Sequence, residues 1–292
     1  MASPKTYLIA GCSRGLGHSL ALAALKAGQK VIATSRNPEA SSELVQEVTS
    51  LGGHWATLDV ASTDLESQFK HILDVLINNA GIATGAVVEQ MDLEASRSIF
   101  ETNFWGLFRL CQLAIPVLKT QGATGGGGGG GRSSIVNISS TNALFPLPVL
   151  SVYSASKAAV DAFTLSLAME VAHFGIRVLL ITPAGMRTPF VQSGGASHDP
   201  KKLLPEDYHN TQVEAIANMV VDMGNFVIDP LKAAQTIVQA VDGTGPFEKM
   251  LKDFVRVPLG AKSLDALQIR SGELTGSLEA FSGVAKSVDL EE

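Results

Sequence analysis

Six short apolar runs, each bounded by turn residues and separated by amphipathic stretches, leave this chain few folds to adopt. The runs are "TYLIAG" (Thr6 to Gly11), "KVIATS" (Lys30 to Ser35), "WATLDV" (Trp55 to Val60), "DVLINNAG" (Asp74 to Gly81), "SIVNISS" (Ser134 to Ser140) and "RVLLITP" (Arg177 to Pro183). They are rich in β-branched residues and apolar on successive positions, the pattern of strands covered on both sides. Strands that alternate with helices are joined by right-handed crossovers into a parallel sheet with helices on both faces. The expectation is a doubly wound α/β fold, with the 292 residues forming a single domain. One stretch interrupts the alternation: "QGATGGGGGGGRSS" places seven glycines, Gly125 to Gly131, between a helix and the fifth strand. A run without side chains is costly to order, so it reads as a mobile surface loop. As a helix-to-strand connection it belongs at the end of the sheet away from ligands.

Charge and composition exclude several classes of partner. The net charge is −6 and no Lys/Arg cluster occurs, whereas nucleic acid and anionic membrane surfaces both demand concentrated positive charge. The two cysteines, Cys12 and Cys111, sit inside apolar elements, and the six histidines show no ligand spacing, so neither a disulfide framework nor a metal site is expected. The start "MASPKTYLIAG" lacks the pattern of a secretory signal, and no apolar run approaches the ~18 residues of a membrane span. A cytoplasmic protein is expected.

Two motifs carry chemistry. "AGCSRGLG" follows the first strand and opens the first helix, with glycines at 11, 15 and 17. A tight turn, a bare backbone and free N–H groups at a positive helix end are what a pyrophosphate needs. The stretch "YSASK" puts Tyr153 and Lys157 four residues apart, one above the other on a helix. That spacing serves a proton-transfer pair and two neighbours on a helix face equally well, and the rest of the chain decides between them.

In order, Gly11, Gly15 and Gly17, "LDV" with Asp59, "NNAG" at 78–81, "TNFWG" with Asn103, "NISS" ending at Ser140, "YSASK", and "TPAGMRT" at 182–188 span most of the chain up to about residue 190. With these residues the chain resembles the short-chain dehydrogenase/reductase family, in its NADP-preferring branch. The resemblance implies a Rossmann sheet of about seven strands and a catalytic set of Asn103, Ser140, Tyr153 and Lys157. Ser140 lies thirteen residues before Tyr153, the family's usual interval, and Ser139 is the alternative. It also implies that NADP(H) is held by Gly11, Ser13, Arg14, Gly15, Leu16, Gly17, Ser35, Arg36, Asp59, Val60, Asn79, Ala80, Gly81, Pro183, Gly185 and Thr188, besides Tyr153 and Lys157. Asn78 and Asn79 read as supports of the sheet and of the Asn103 helix. Two departures from the family pattern are Ala10, where a Thr commonly stands, and Ala184, where a Gly does.

The chemistry follows from the side chains themselves. A carbonyl that receives a hydride becomes an alkoxide and needs a proton, which a phenol of ordinary pKa near ~10 gives up only reluctantly. An ammonium at about 4 Å and an effective dielectric near 20 is worth up to ~4 kcal/mol, so Lys157, together with the positive nicotinamide of the oxidised cofactor, is expected to lower the Tyr153 pKa. Ser140 would hold the carbonyl oxygen, and Asn103 a water linking Lys157 to solvent. At the end of the second strand an acidic residue would repel a 2′-phosphate. This chain has Ser35 there, followed by Arg36, with Arg14 directed at the same corner, an arrangement suited to NADP(H).

The expected activity is NADP(H)-dependent reduction of a ketone or aldehyde, or oxidation of the matching secondary alcohol; a cofactor-binding regulator that has lost turnover is the competing possibility. Residues 188–225 are expected to form a lid over an apolar substrate, with Phe145, Pro146 and Leu147 opposite, and residues 260–292 a helical extension. The apolar surplus on the helices around 103–118 and 152–174 points to a homodimer or homotetramer.

Overall fold

The computed structural model describes residues 3–69, 72–124, 133–188, 190, 204–222, 227–249 and 254–290. The Gly125 to Gly131 run lies outside the described residues, as do residues 189, 191–203 and 223–226 of the expected lid.

Seven parallel strands form one sheet: β1 (Thr6–Ala10), β2 (Lys30–Ser35), β3 (His54–Thr57), β4 (Val75–Asn78), β5 (Ser134–Ile138), β6 (Arg177–Pro183) and β7 (Arg256–Leu259), in the order β3-β2-β1-β4-β5-β6-β7. The order reverses beside β1, where Ile9 lies opposite Ala33 of β2 on one side and Ile77 of β4 on the other. Crossovers diverge from that point and leave a crevice at the carboxyl ends of the strands. Successive strand residues feed opposite cores. Ile9, Ile77, Val136 and Ile181 pack under α1 (Gly15–Lys26), α2 (Ser42–Ser50) and α8 (Pro230–Asp242). Leu8, Leu76, Ile135 and Leu180 pack under α5 (Gly106–Thr124) and α6 (Ser151–Val171), with the short α3 (Leu65–Gln68) contributing Leu65. This period of two is what a sheet covered on both faces requires.

Local signals set the ends of the elements. In α8 the Asp229 carboxylate accepts from the N–H groups of Leu231 and Lys232, Pro230 occupies the first turn, and Gly243 ends the helix in a left-handed conformation. β3 stops at Thr57, three residues short of the apolar run. The Asp59 N–H donates to the Gln68 side chain and the Asp59 carboxylate accepts from Ala61 N, which turns the chain out of the sheet. The helix expected from Asn103 is not continuous either: α4 (Leu93–Phe100) passes through a π turn at Glu101–Trp105 before α5 begins. The widened turn presses Gly106 against Val60 and buries Asn103 completely. After α7 (Gln212–Val221) and β7, the chain ends in α9 (Ala261–Lys286), whose side chains are all exposed from Ser271 onward, Leu278 and Phe281 included. Among the described residues no helix is long and apolar enough to cross a membrane.

Candidate active site

A cavity of about 660 Å³ is lined by the residues that leave β1, β2, β4, β5 and β6 at their carboxyl ends, over the point where the strand order reverses. Tyr153 stands on the first turn of α6 and Lys157 on the next, both buried and both lining this cavity. Ser140, two residues past the end of β5, accepts from Asn142 N at 3.2 Å, and its hydroxyl favours ionisation of the Tyr153 phenol. Ser139, the alternative, donates its hydroxyl to the Asp161 carboxylate and is engaged there. The Lys157 Nζ donates to the Ile138 carbonyl at 2.9 Å.

Without the positive nicotinamide on which the expected lowering also counts, the protein alone shifts the phenol the other way. Burial strips water from the phenolate and pushes Tyr153 up to about 12, with the Ser140 hydrogen bond pulling the other way. Burial also lowers Lys157 to about 8, opposed by the charge of Asp161. Desolvation depends on how the chain packs around the phenol, which local spacing does not display.

Asn103 is held at three points. Its Oδ1 accepts from Ile82 N at 2.8 Å, and its Nδ2 donates to the Ile82 carbonyl and to Ser156 Oγ, each at 3.0 Å. Ser156 in turn donates to the Tyr153 carbonyl at 2.7 Å, so the π turn braces the first turn of α6 and the loop after β4 together.

The glycine loop lies at one end of the cavity. Gly11 has φ +78° and touches Ala80, so a side chain there would meet both conformational strain and backbone. Gly17 lies beneath the loop, where a Cβ would be driven into the Gly11 carbonyl and the Asn79 amide. Asn79 itself donates to the carbonyls of Ala10 (3.1 Å) and Gly11 (3.0 Å) and so fixes the loop's shape. Ser13, Arg14, Gly15 and Leu16 face the same cavity, as do Ser35, Arg36, Asp59, Val60, Ala80 and Gly81. Pro183, Gly185 and Thr188 line it from β6. Ser35 is buried and its hydroxyl accepts from the Trp55 indole at 3.1 Å, a partner that sequence reasoning missed; Arg14 and Arg36 are exposed.

On the other side, Phe145 and Leu147 form part of the wall and Phe190 tilts over Tyr153 with ring centroids 5.9 Å apart. Met219 and Val220 of α7 close it further. Lys262, Asp265, Ala266 and Ile269 of α9 also line the cavity and were not anticipated. The signal was present in Gly260, because every strand-to-helix connection of a parallel sheet opens at the ligand end.

Comparison with known proteins agrees with this architecture. The short chain dehydrogenase family profile matches residues 5–198. The oxidoreductase claN of Passalora fulva is 38% identical over 224 residues, covering 75% of this chain and 96% of that protein. A solved short-chain dehydrogenase from Streptomyces avermitilis superposes with a TM-score of 0.79 at 29% identity, covering 99% of this chain and 100% of that one. The chain belongs to the short-chain dehydrogenase/reductase family of oxidoreductases.

Proposed function

We propose that this protein is an NADP(H)-dependent oxidoreductase that reduces a ketone or aldehyde, or oxidises the corresponding secondary alcohol. The observation that carries the proposal is the meeting of Ser140, Tyr153 and Lys157 in one cavity with the glycine loop. What supports a dinucleotide is a cradle whose glycines could not become alanine, together with two exposed arginines and a serine, in place of a carboxylate, where a 2′-phosphate would lie. In this reading Gly11, Ser13, Arg14, Gly15, Leu16, Ser35, Arg36, Asp59 and Thr188 hold the cofactor, which supplies or accepts the hydride when bound.

The chain's own residues manage the oxygen and its proton. Ser140 donates a hydrogen bond to the carbonyl oxygen. As charge develops there, the Tyr153 hydroxyl passes its proton to that oxygen, and the Lys157 ammonium favours the phenolate left behind. Phe145, Leu147, Phe190 and Met219 exclude water and select an apolar body. A phenol near 12 keeps its proton at neutral pH and therefore enters the reduction in the form that can donate it. Asn103 acts through the geometry of α6. We further assign the whole chain to one domain in which residues 188–225 cover the substrate, and we place it in the cytoplasm. The homodimer or homotetramer would use the exposed Trp105 and Met169, on the π turn and α6.

The test is initial rates with NADPH and with NADH on a panel of aliphatic and aromatic ketones and aldehydes. NADPH-dependent reduction is the expected result. Cofactor binding without turnover across the panel would instead make the protein a regulator, and equal use of both cofactors would remove the arginine argument.

A further inference from the structure

Behind the proposed catalytic residues lies a second polar group that takes no part in the scheme above. Two successive turns of α6 grip two successive residues at the end of β5: Lys157 takes the Ile138 carbonyl at 2.9 Å, and Asp161 accepts the Ser139 hydroxyl. Ser140 is the next residue along the chain. The other oxygen of Asp161 accepts from Arg256 of β7 at 2.6 Å, and the same guanidinium nitrogen donates to Thr182 of β6 at 3.0 Å. Ser263 of α9 donates to the Thr182 carbonyl at 2.7 Å. Asp161 is buried and Arg256 nearly so, and a buried carboxylate is retained only where its lone pairs are met. These bonds join β5, α6, β7, β6 and α9 at one point, one residue along the chain from Ser140.

We propose that Asp161, held by Arg256, is a positioning residue of the oxidoreductase site: it fixes the end of β5, and so the placement of Ser140 against Tyr153, and keeps a counter-charge one helical turn from Lys157. This rests on the function proposed above. Ser140 and Tyr153 sit on different elements, so their contact depends on the β5–α6 register, and the Lys157 and Asp161 grips are two side-chain ties that set it. A misplacement of about 1 Å at such a contact can lower turnover by ~10²-fold.

The electrostatic part is equally local. Of the charged groups on elements packed against α6, Glu101 is paired with Arg109, Glu94 with Arg97, and Arg177 is bonded to the Ala240 carbonyl at the opposite end of β6. Glu170 and His173 lie at the far end of α6 and its continuation, while Lys262 and Asp265 face the cavity from α9. Asp161 is the charge that opposes the effect of burial on Lys157.

The experiment compares Asp161→Asn, Arg256→Lys, Arg256→Met and Ser139→Ala with the native chain. It uses NADPH and ethyl benzoylformate as the probe pair and follows the Lys157 titration through its 13Cε resonance. In Asp161→Asn we expect kcat to fall by roughly 10- to 100-fold. The Lys157 midpoint should drop by about one unit, while NADPH dissociation stays within about fivefold. Arg256→Met should lower kcat similarly without a drop in the Lys157 midpoint, since Asp161 keeps its charge, and Arg256→Lys should recover most of the rate. A folded Asp161→Asn with native kcat and a native Lys157 midpoint overturns the proposal. So does a variant that merely melts earlier while both readouts stay put. Should Asp161→Asn fail to fold, Ser139→Ala decides, since it removes one tie and leaves the ion pair: a severalfold loss of kcat supports the proposal and an unchanged kcat overturns it. If the native protein reduces no carbonyl, the oxidoreductase reading fails on its own, and the Lys157 midpoint in the variants still judges Asp161.

Discussion

The two ends of the sheet use the same residue types to opposite effect. At the amino end, the Tyr7 hydroxyl donates to Asp242 at 2.8 Å, Lys5 pairs with the same carboxylate at 3.2 Å, and Gln29 donates to its other oxygen at 2.9 Å. Arg177 bonds the Ala240 carbonyl nearby. At the carboxyl end stand another buried tyrosine and lysine, Tyr153 and Lys157, with exposed Arg14 and Arg36 at the rim of the same cavity. Burial and the Asp242 carboxylate both push Tyr7 far above the ordinary phenol range. Tyr153 is also buried, yet its neighbour is a hydroxyl that pulls its pKa down, and it faces a cavity. Burial alone therefore does not make a tyrosine reactive or inert. The partner decides, because a carboxylate demands that the proton stay and a hydroxyl can also stabilise its departure.

The sharpest way to break this contrast is to remove each phenol in turn. Tyr153→Phe should lower turnover by roughly 10²–10⁴-fold, the usual worth of a positioned acid–base group, with NADPH binding nearly unchanged. Tyr7→Phe should leave kcat within twofold and destabilise the fold by about 1 kcal/mol, one hydrogen bond to a carboxylate that keeps two other donors. Steady-state kinetics and chemical denaturation of both variants measure the pair. A large loss of turnover in Tyr7→Phe would show that the two ends are not independent.

The arginines give a second contrast of smaller size. Each charge-assisted bond to a phosphate is worth ~1.5–3 kcal/mol, so Arg36→Ala should weaken NADPH by about ten- to a hundredfold and hardly change NADH. The double variant Ser35→Asp with Arg36→Ala should reverse the preference. Arg177→Ala, at the closed end, should cost stability and leave both cofactor constants within twofold. Isothermal titration with each dinucleotide reads these directly, and an Arg36→Ala chain that loses NADH and NADPH alike would mean the guanidinium does not touch the 2′-phosphate.

How much of this was readable beforehand differs between the two ends. The β/α alternation gave six of the strands to within a few residues, because strands covered on both faces are written as uninterrupted apolar runs. That Tyr153 and Lys157 stand one above the other on a helix was legible because four-residue spacing is a local property, while their proposed roles and the choice of Ser140 came from the resemblance to the family. What stayed hidden depends on contacts distant in sequence. Tyr7 and Asp242 are 235 residues apart, and Asp161 and Arg256 are 95 apart. The Trp55 indole on Ser35 needs the register of β2 against β3. The π turn at Glu101–Trp105 likewise has no local signature: Gly106 allows the approach to Val60, but only the packed structure requires it.

The smallest predicted effect concerns Lys157 and appears as a function of pH. Lys157 titrates near 8 in the folded protein against an ordinary 10.5, so between those values the unfolded chain carries the proton and the folded one does not. Stability rises with pH wherever the unfolded state binds more protons, so the cost of burying this ammonium is fully present below pH 8 and is relieved as pH climbs above it. Between pH 7 and 9 the native chain should gain about 1.4 kcal/mol from this group relative to Lys157→Met, which has nothing to titrate there. Urea midpoints at pH 7, 8 and 9 for the native chain and Lys157→Met measure the difference. A Lys157→Met curve that runs parallel to the native one would mean that the ammonium is not held at a cost, and that Asp161 and the Ile138 carbonyl already offset its burial in full.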